Sequence, residues 1–173
     1  MESDFLIVAI VDNRIGVLHK IAIMFSRRGF NIETISAGEI NVPSLVRITI
    51  TMKSDKNTAD QLIKQMEKLI DIVSVTVLDP EKAVERELAL IKVRIDTPDD
   101  RSAIMDYANI FRGRVVDVAP KSVIVEITGT PQKMNAFIEL ASTFGILEIA
   151  RTGITALSRG KESIPIEAEN LGE

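Results

Sequence analysis

Seven consecutive apolar residues, Phe5-Leu6-Ile7-Val8-Ala9-Ile10-Val11, give way across Asp12-Asn13-Arg14-Ile15-Gly16 to a stretch in which Leu18, Ile21, Ala22 and Phe25 recur at helical spacing. A buried strand that becomes an amphipathic helix within five residues needs a tight turn, and Gly16 sits where the strand turns into the helix. With glycine there, no side chain covers the first helical N–H groups. Free donors at a helix N-terminus, backed by the macrodipole, suit a small carboxylate. The turn points to binding of a small anion or amino acid rather than to catalysis. Close packing of helix on strand is the other use for a glycine at this place.

The pattern continues in the same order. Gly29 is a typical residue for closing the first helix, which spans about Gly16 to Arg28, and Phe30 to about Ile40 reads as a second strand. After Pro43, the residues Val46, Ile48, Ile50 and Met52 alternate with Arg47, Thr49 and Thr51, as a half-buried third strand does. Ser54-Asp55-Lys56-Asn57 offers caps for a helix with Ala59, Leu62, Ile63, Met66 and Leu69 on one face, and Ile72–Leu78 closes the unit. The charged run Glu81 to Glu87 is the expected linker. The order then recurs: a strand Leu88–Ile95, a helix opened by Thr97-Pro98, a hairpin of Arg114–Ala119 and Val123–Thr128, a helix opened by Thr130-Pro131, and a strand from Ile146. The expected organisation is therefore α+β, with βαββαβ domains at residues 1–80 and 81–160 and a disordered acidic tail at 161–173. Each domain should carry two helices on one face of a four-stranded antiparallel sheet. The other face must be exposed, bound or paired, which favours self-association.

Composition narrows the chemistry. The 173 residues are 46% hydrophobic but only 4% aromatic, with no cysteine, one histidine (His19) and a net charge of −4. Thiol chemistry, disulfides and most histidine-based catalytic or metal sites are excluded. The acidic balance does not suit nucleic acid. No apolar stretch approaches bilayer length, and Glu2 and Asp4 stand where a signal peptide would be basic. A cytoplasmic protein is expected. An RNA-recognition module would need aromatics on its central strands, and Leu45 to Met52 has none. A small phosphatase would use residues such as Arg14 and Asn31, but its anion loop would be richer in glycine. The pairs Asp99-Asp100 and Glu85 with Glu87 read as solvated turn or linker, and His19 as an exposed helix residue. Arg112, Arg114, Arg151 and Arg159 are solvated, locally paired or in contact with a partner.

A second cluster, Arg28-Gly29-Phe30-Asn31-Ile32-Glu33, leaves the first helix at its far end. A helix of about a dozen residues spans roughly 18 Å, so Asn31 lies far from the Asn13 loop within one subunit. Both line one site only where two subunits meet.

The combination Asn13-x-x-Gly16-x-Leu18-x-x-Ile21 with Phe25-Ser26-x-Arg28-Gly29-Phe30-Asn31-Ile32 resembles the ACT domain of the acetolactate synthase (acetohydroxyacid synthase) small regulatory subunits. The likeness extends through Val46-Arg47-Ile48-Thr49, Lys68 to Ile72 and Val84 to Leu88. In the second half it covers Ile110 to Val118, Ile149 to Gly153 and Leu157 to Gly160. It departs at His19-Lys20 and at Ser36 to Asn41.

The resemblance implies tandem ferredoxin-like domains and a non-catalytic subunit. Such a subunit dimerises through the ACT domain, activates a separate catalytic large subunit and confers feedback inhibition by valine, sometimes leucine or isoleucine. It implies no catalytic residue, metal or cofactor in this chain. Thiamine diphosphate, magnesium and FAD belong to the partner. The effector residues it implies are Asn13, Gly16 and Asn31. Around them, amides from Ile15 through Val17 to Leu18 would hold the carboxylate beside Arg14. Ile15, Leu18 and Ile32 would hold the isopropyl group. A free-standing ACT-type sensor acting on another enzyme is the alternative.

Overall fold

A computed structural model describes residues 3–166 of the chain. It forms two compact units, Met1–Val84 with Ile154–Glu173, and Glu85–Gly153.

In the first unit the order is β1 (Ser3–Asp12), α1 (Val17–Arg27), β2 (Thr34–Glu39), β3 (Leu45–Ser54), α2 (Lys56–Met66) and β4 (Ile72–Leu78). The antiparallel sheet runs β2-β3-β1-β4, as the βαββαβ order requires. Alternation sorts the residues. Ile7, Ala9 and Val11 of β1 and Ile48, Ile50 and Met52 of β3 face the helices, where Val17, Ile21, Phe25, Leu62 and Met66 complete the core. Asp55 caps α2 by accepting from the Thr58 amide, and Gly29 leaves α1 at φ 72°. The second strand is shorter than its sequence suggests. Phe30 and Ile32 pack on the core as irregular chain, and Phe30 lies edge-on to Phe25.

The second unit repeats the architecture with β5 (Ala83–Arg94), α3 (Pro98–Ile110), β6 (Arg114–Ala119), β7 (Ser122–Gly129), α4 (Pro131–Ser142) and β8 (Ile146–Arg151), in sheet order β6-β7-β5-β8. Ala89, Ile91, Val93, Ile104, Val125 and Phe137 centre its core. Thr97 caps α3 in a reciprocal box with Asp100, and Thr130 caps α4, each with proline at the first helical position. Gly113 marks a close approach. A Cβ there would lie 2.9 Å from the Glu126 carbonyl oxygen, so the Phe111-Arg112-Gly113 segment serves packing.

Two expectations change. The charged run at Glu81 to Glu87 is not a loose linker. After a single 3-10 turn at Pro80–Lys82, strand β5 begins at Ala83 and alternates in burial, so that Glu87 is buried. Its carboxylate pairs with Arg151, which also reaches Asn135. The chain from Ile154 onward belongs to the first unit, where β9 (Thr155–Ser158) and the segment after it lie on the helix-free face. There Ile154, Ala156 and Ile164 pack on Leu6, Val8, Leu78 and Ala83. Residues 167–173 of the expected tail lie outside the described residues, but Ile164 is packed. The chain itself thus covers the middle of a face expected to be bare or paired with another copy.

Replacing Ile164 by alanine should cost about 1–2 kcal/mol in urea unfolding, less than a fully buried isoleucine because the side chain is only partly buried. A change within about 0.5 kcal/mol would mark the segment as ordinary surface chain. Asp100 predicts an acid dependence. Hydrogen bonds from the Thr97 side chain and amide hold its carboxyl below the ordinary value. A depressed folded-state pKa contributes stability above the unfolded value and loses it as pH falls through that range. Between pH 5 and pH 2, the thermal midpoint of Asp100→Asn should fall less steeply than the parent's.

Candidate functional site

Four α-helices begin among the described residues, and their first amides meet different fates. Side chains of Asp55, Thr97 and Thr130 accept from the first turns of α2, α3 and α4. Helix α1 has Gly16 at its cap position with φ 91°, no side-chain cap and no acidic residue in its first turn. The Val17 amide bonds weakly to Arg14 O at 3.4 Å, and helical bonding starts with the Lys20 amide on Gly16 O at 2.9 Å. The amides of Ile15, Gly16, Leu18 and His19 find no acceptor among the described residues. A Cβ at Gly16 would meet nothing within 4 Å, so the glycine serves the left-handed dihedral and open space rather than close packing.

The loop carrying these amides is fixed at both sides. The Asp12 amide donates to Asp71 O at 2.9 Å and the Asn13 amide to Ser44 O at 2.7 Å. Asn13 Nδ2 donates to Glu39 Oε1 at 3.2 Å, joining the loop to the end of β2. Lys20 reaches the buried Asp71 carboxylate at 2.5 Å, and Arg14 Nε lies 3.4 Å from Asp12. Glu39, Asp71 and Ser44 are the supporting residues that sequence reasoning missed. The family departures at Lys20 and at Ser36 to Asn41, a stretch that contains Glu39, touched this set without assigning it that role.

The structure divides the eight expected site residues. Asn13, Arg14, Ile15, Gly16 and Leu18 are exposed together at one end of α1. Val17 turns into the core and offers only its backbone. Asn31 and Ile32 lie at the other end, beyond eleven helical residues, or about 16 Å. There Asn31 is exposed, Ile32 half-buried, and both border an open cavity of about 460 Å³ with Phe25, Ser26, Gly29 and Phe30. One protomer therefore does not bring the two clusters together. His19 is exposed. Arg114 pairs with Glu126, Arg151 with Glu87, and Arg159 Nε donates to Ala83 O, so these three are locally satisfied. Among the described residues no group of three His, Asp or Glu side chains converges as metal ligands, and no helix is long and apolar enough to cross a membrane.

The two units are thus ferredoxin-like, and the first carries an uncapped, glycine-led helix start. Residues 7–74 match the family model of the AHAS small subunit-like ACT domain, and residues 86–160 that of the small subunit of acetolactate synthase. A probable acetolactate synthase small subunit of Methanothermobacter thermautotrophicus is 47% identical over 95% of this chain and 98% of its own. The acetolactate synthase small subunit of Mycobacterium bovis is 41% identical over 90% and 92%. The crystal structure of the small subunit from Thermotoga maritima superposes with a TM-score of 0.86 at 45% identity, over 92% of this chain and 99% of that one. The chain belongs to the acetolactate synthase small-subunit family, a family of regulatory subunits.

The dihedral at Gly16 makes a stability prediction. Gly16→Ala fits sterically but must hold an L residue at positive φ, which costs about 1–2 kcal/mol in chemical denaturation.

Proposed function

We propose that this chain activates a separate catalytic subunit of acetolactate synthase and makes it sensitive to valine, without catalytic residues of its own. The observation that carries the reading is the uncapped first turn of α1, whose free amides and helix dipole suit a carboxylate. The amides from Ile15 to Leu18 hold that carboxylate. Asn13, with its Nδ2 given to Glu39, keeps Oδ1 to accept from the ammonium. Ile15 and Leu18 stand exposed beside the amides, and burying an isopropyl group against them contributes about 1.5–3 kcal/mol.

The far cluster enters through a second protomer. Strand β2 lies at an edge of its sheet, and Glu39 at its end is bonded to the Asn13 loop. Two β2 strands paired antiparallel about a twofold axis set the start of one against the end of the other. Asn31, three residues before Thr34, then reaches the partner's loop, and Ile32 closes the apolar side. The effector thus bridges two subunits and stabilises one arrangement of the dimer. A typical coupling of about 1–3 kcal/mol makes the inhibition partial. Thiamine diphosphate, magnesium and FAD are the catalytic subunit's. The relatives match along nearly their whole length as acetolactate synthase subunits, which favours this reading over a free-standing sensor; a cytoplasmic site of action beside that enzyme is part of the same proposal.

Reconstitution tests the activity: adding the chain to the catalytic subunit should raise the rate of pyruvate condensation, and valine should lower it again. Gly16→Asp should still activate but give no calorimetric valine binding and no inhibition. Unchanged binding would refute the loop geometry. A mixture of Gly16→Asp and Asn31→Ala chains tests sharing between subunits. Each variant alone should lose binding, and mixed dimers, which contain one intact site, should recover part of it.

A further inference from the structure

The helix-free face of the first unit holds two orphaned polar atoms, on the two strands that flank β1. Ile10 on β1 pairs in register with Arg47 on β3 and with Ser74 on β4. Arg47 Nε and Ser74 Oγ, on either side of Ile10, are both buried without a hydrogen-bond partner. Arg47 donates through Nη2 to Ala156 O at 2.6 Å, so the returning segment fixes the guanidinium in place. None of the ion pairs among the described residues includes Arg47. Burial without a counter-charge lowers its pKa.

Beside this guanidinium lies a cavity of about 330 Å³, between the sheet and the returning segment, walled by Ile10, Ile40, Leu157 and Ile164 with Asn41 and Ser163 at its polar side. A smaller cavity of about 170 Å³, lined by Ser36 and Thr49, adjoins the other side of Arg47. Glu39 and Glu162 border these spaces, and neither is paired with the guanidinium.

We propose that this cavity is a second ligand site, for a small aliphatic carboxylate bound by Arg47. A planar guanidinium with free N–H groups matches a carboxylate in a two-pronged bond, which a lysine ammonium would not reproduce. The isoleucine and leucine walls take a short branched chain, and the volume is at the small end for ligand cavities. A half-buried guanidinium with no counter-charge and an unpartnered Nε is costly, and well-packed apolar side chains would serve the fold at least as well. An anion arriving from solution supplies the missing partner. The site lies within one protomer and is made of residues separate from the Gly16 loop, so it stands independently of the effector reading above.

Isovalerate is the probe, with its neutral isostere isovaleramide as control, titrated into the full chain and followed by NMR at the Arg47 Nε–H and the Ile10 and Ile164 methyl groups. Isovalerate should shift these signals saturably, and isovaleramide should not. Gly16→Asp should leave the response intact, Arg47→Met should abolish it, and Arg47→Lys should weaken it at least severalfold. Absence of saturable shifts, equal shifts with isovaleramide, or an undiminished response in Arg47→Met would overturn the assignment. Should Arg47→Met fail to fold by circular dichroism, Arg47→Lys decides: binding there as tight as in the parent overturns it too.

Discussion

Strand β1 is apolar on both of its faces, and most of the first unit follows from that. Leu6 through Val11 are six consecutive residues with almost no exposed surface. A sheet covered on one side alone leaves alternate residues in water and selects polar side chains there. Here both sides must be covered. Helices α1 and α2 cover Ile7, Ala9 and Val11, and the returning segment from Ile154 covers Leu6 and Val8. Each such side chain contributes about 1.5–3 kcal/mol when fully buried, enough to draw a distant piece of chain back across the sheet. The rigid strand so produced ends at Asp12. The amide bonds of Asp12 to Asp71 and of Asn13 to Ser44 then set the direction in which the Gly16 turn presents its donors.

Much of this was legible because it is written locally. Thr97-Pro98, Thr130-Pro131 and Asp55 announce helix starts by cap chemistry, and alternation in Val46 to Met52 assigns a strand and its buried face. Gly16 was legible for the same reason: a positive φ at the first turn of a helix leaves few other residues. What escaped depends on partners far away in sequence. Glu87 looks like a solvated linker residue until Arg151, sixty-four positions on, supplies its counter-charge. The segment around Ile164 has no periodicity, so nothing in its own composition tells that Leu6 and Val8 need covering. The continuous apolar run at Phe5 to Val11 carried that information, and it reads equally well as a strand awaiting another copy. Glu39 and Asp71 escaped too, since their value to the site lies in what they hold rather than in their type.

The two units show how little of the architecture is the function. Both open with a strand, a turn and a helix packed on an antiparallel sheet. In the second unit the turn is Asp96-Thr97-Pro98, and its amides are already taken: the Asp100 carboxylate accepts from Asp96 at 3.2 Å and Thr97 at 2.8 Å, while the Thr97 hydroxyl accepts from Asp100. An incoming carboxylate would meet acid, with these three donors already engaged. The first unit gives up that local stabilisation at α1 and leaves the amides open. With glycine at the cap position, the loss relative to a good side-chain cap is roughly a few tenths of a kcal/mol. The omission is therefore a small cost to the fold that the proposed carboxylate would recover.

That cost bears on how binding at this turn reaches the rest of a dimer. A ligand shifts an equilibrium only by the difference in its affinity for the two states. Amides at one helix start would bind a carboxylate equally well in any arrangement of subunits, so they give affinity without control. Control requires a contact made in one arrangement and missing in the other. Strand β2 offers it, because Glu39 ties its end to Asn13 while its start follows directly from Asn31 and Ile32. Neither outer strand carries proline or lysine to discourage pairing, but β4 changes register between Ile10 and Val11 and so presents a less regular edge. In the proposed dimer, pairing at β2 would make the partner's Asn31 the arrangement-dependent contact. On the proposed reading, the open turn would set the strength of binding, and the edge strand would decide what the binding does.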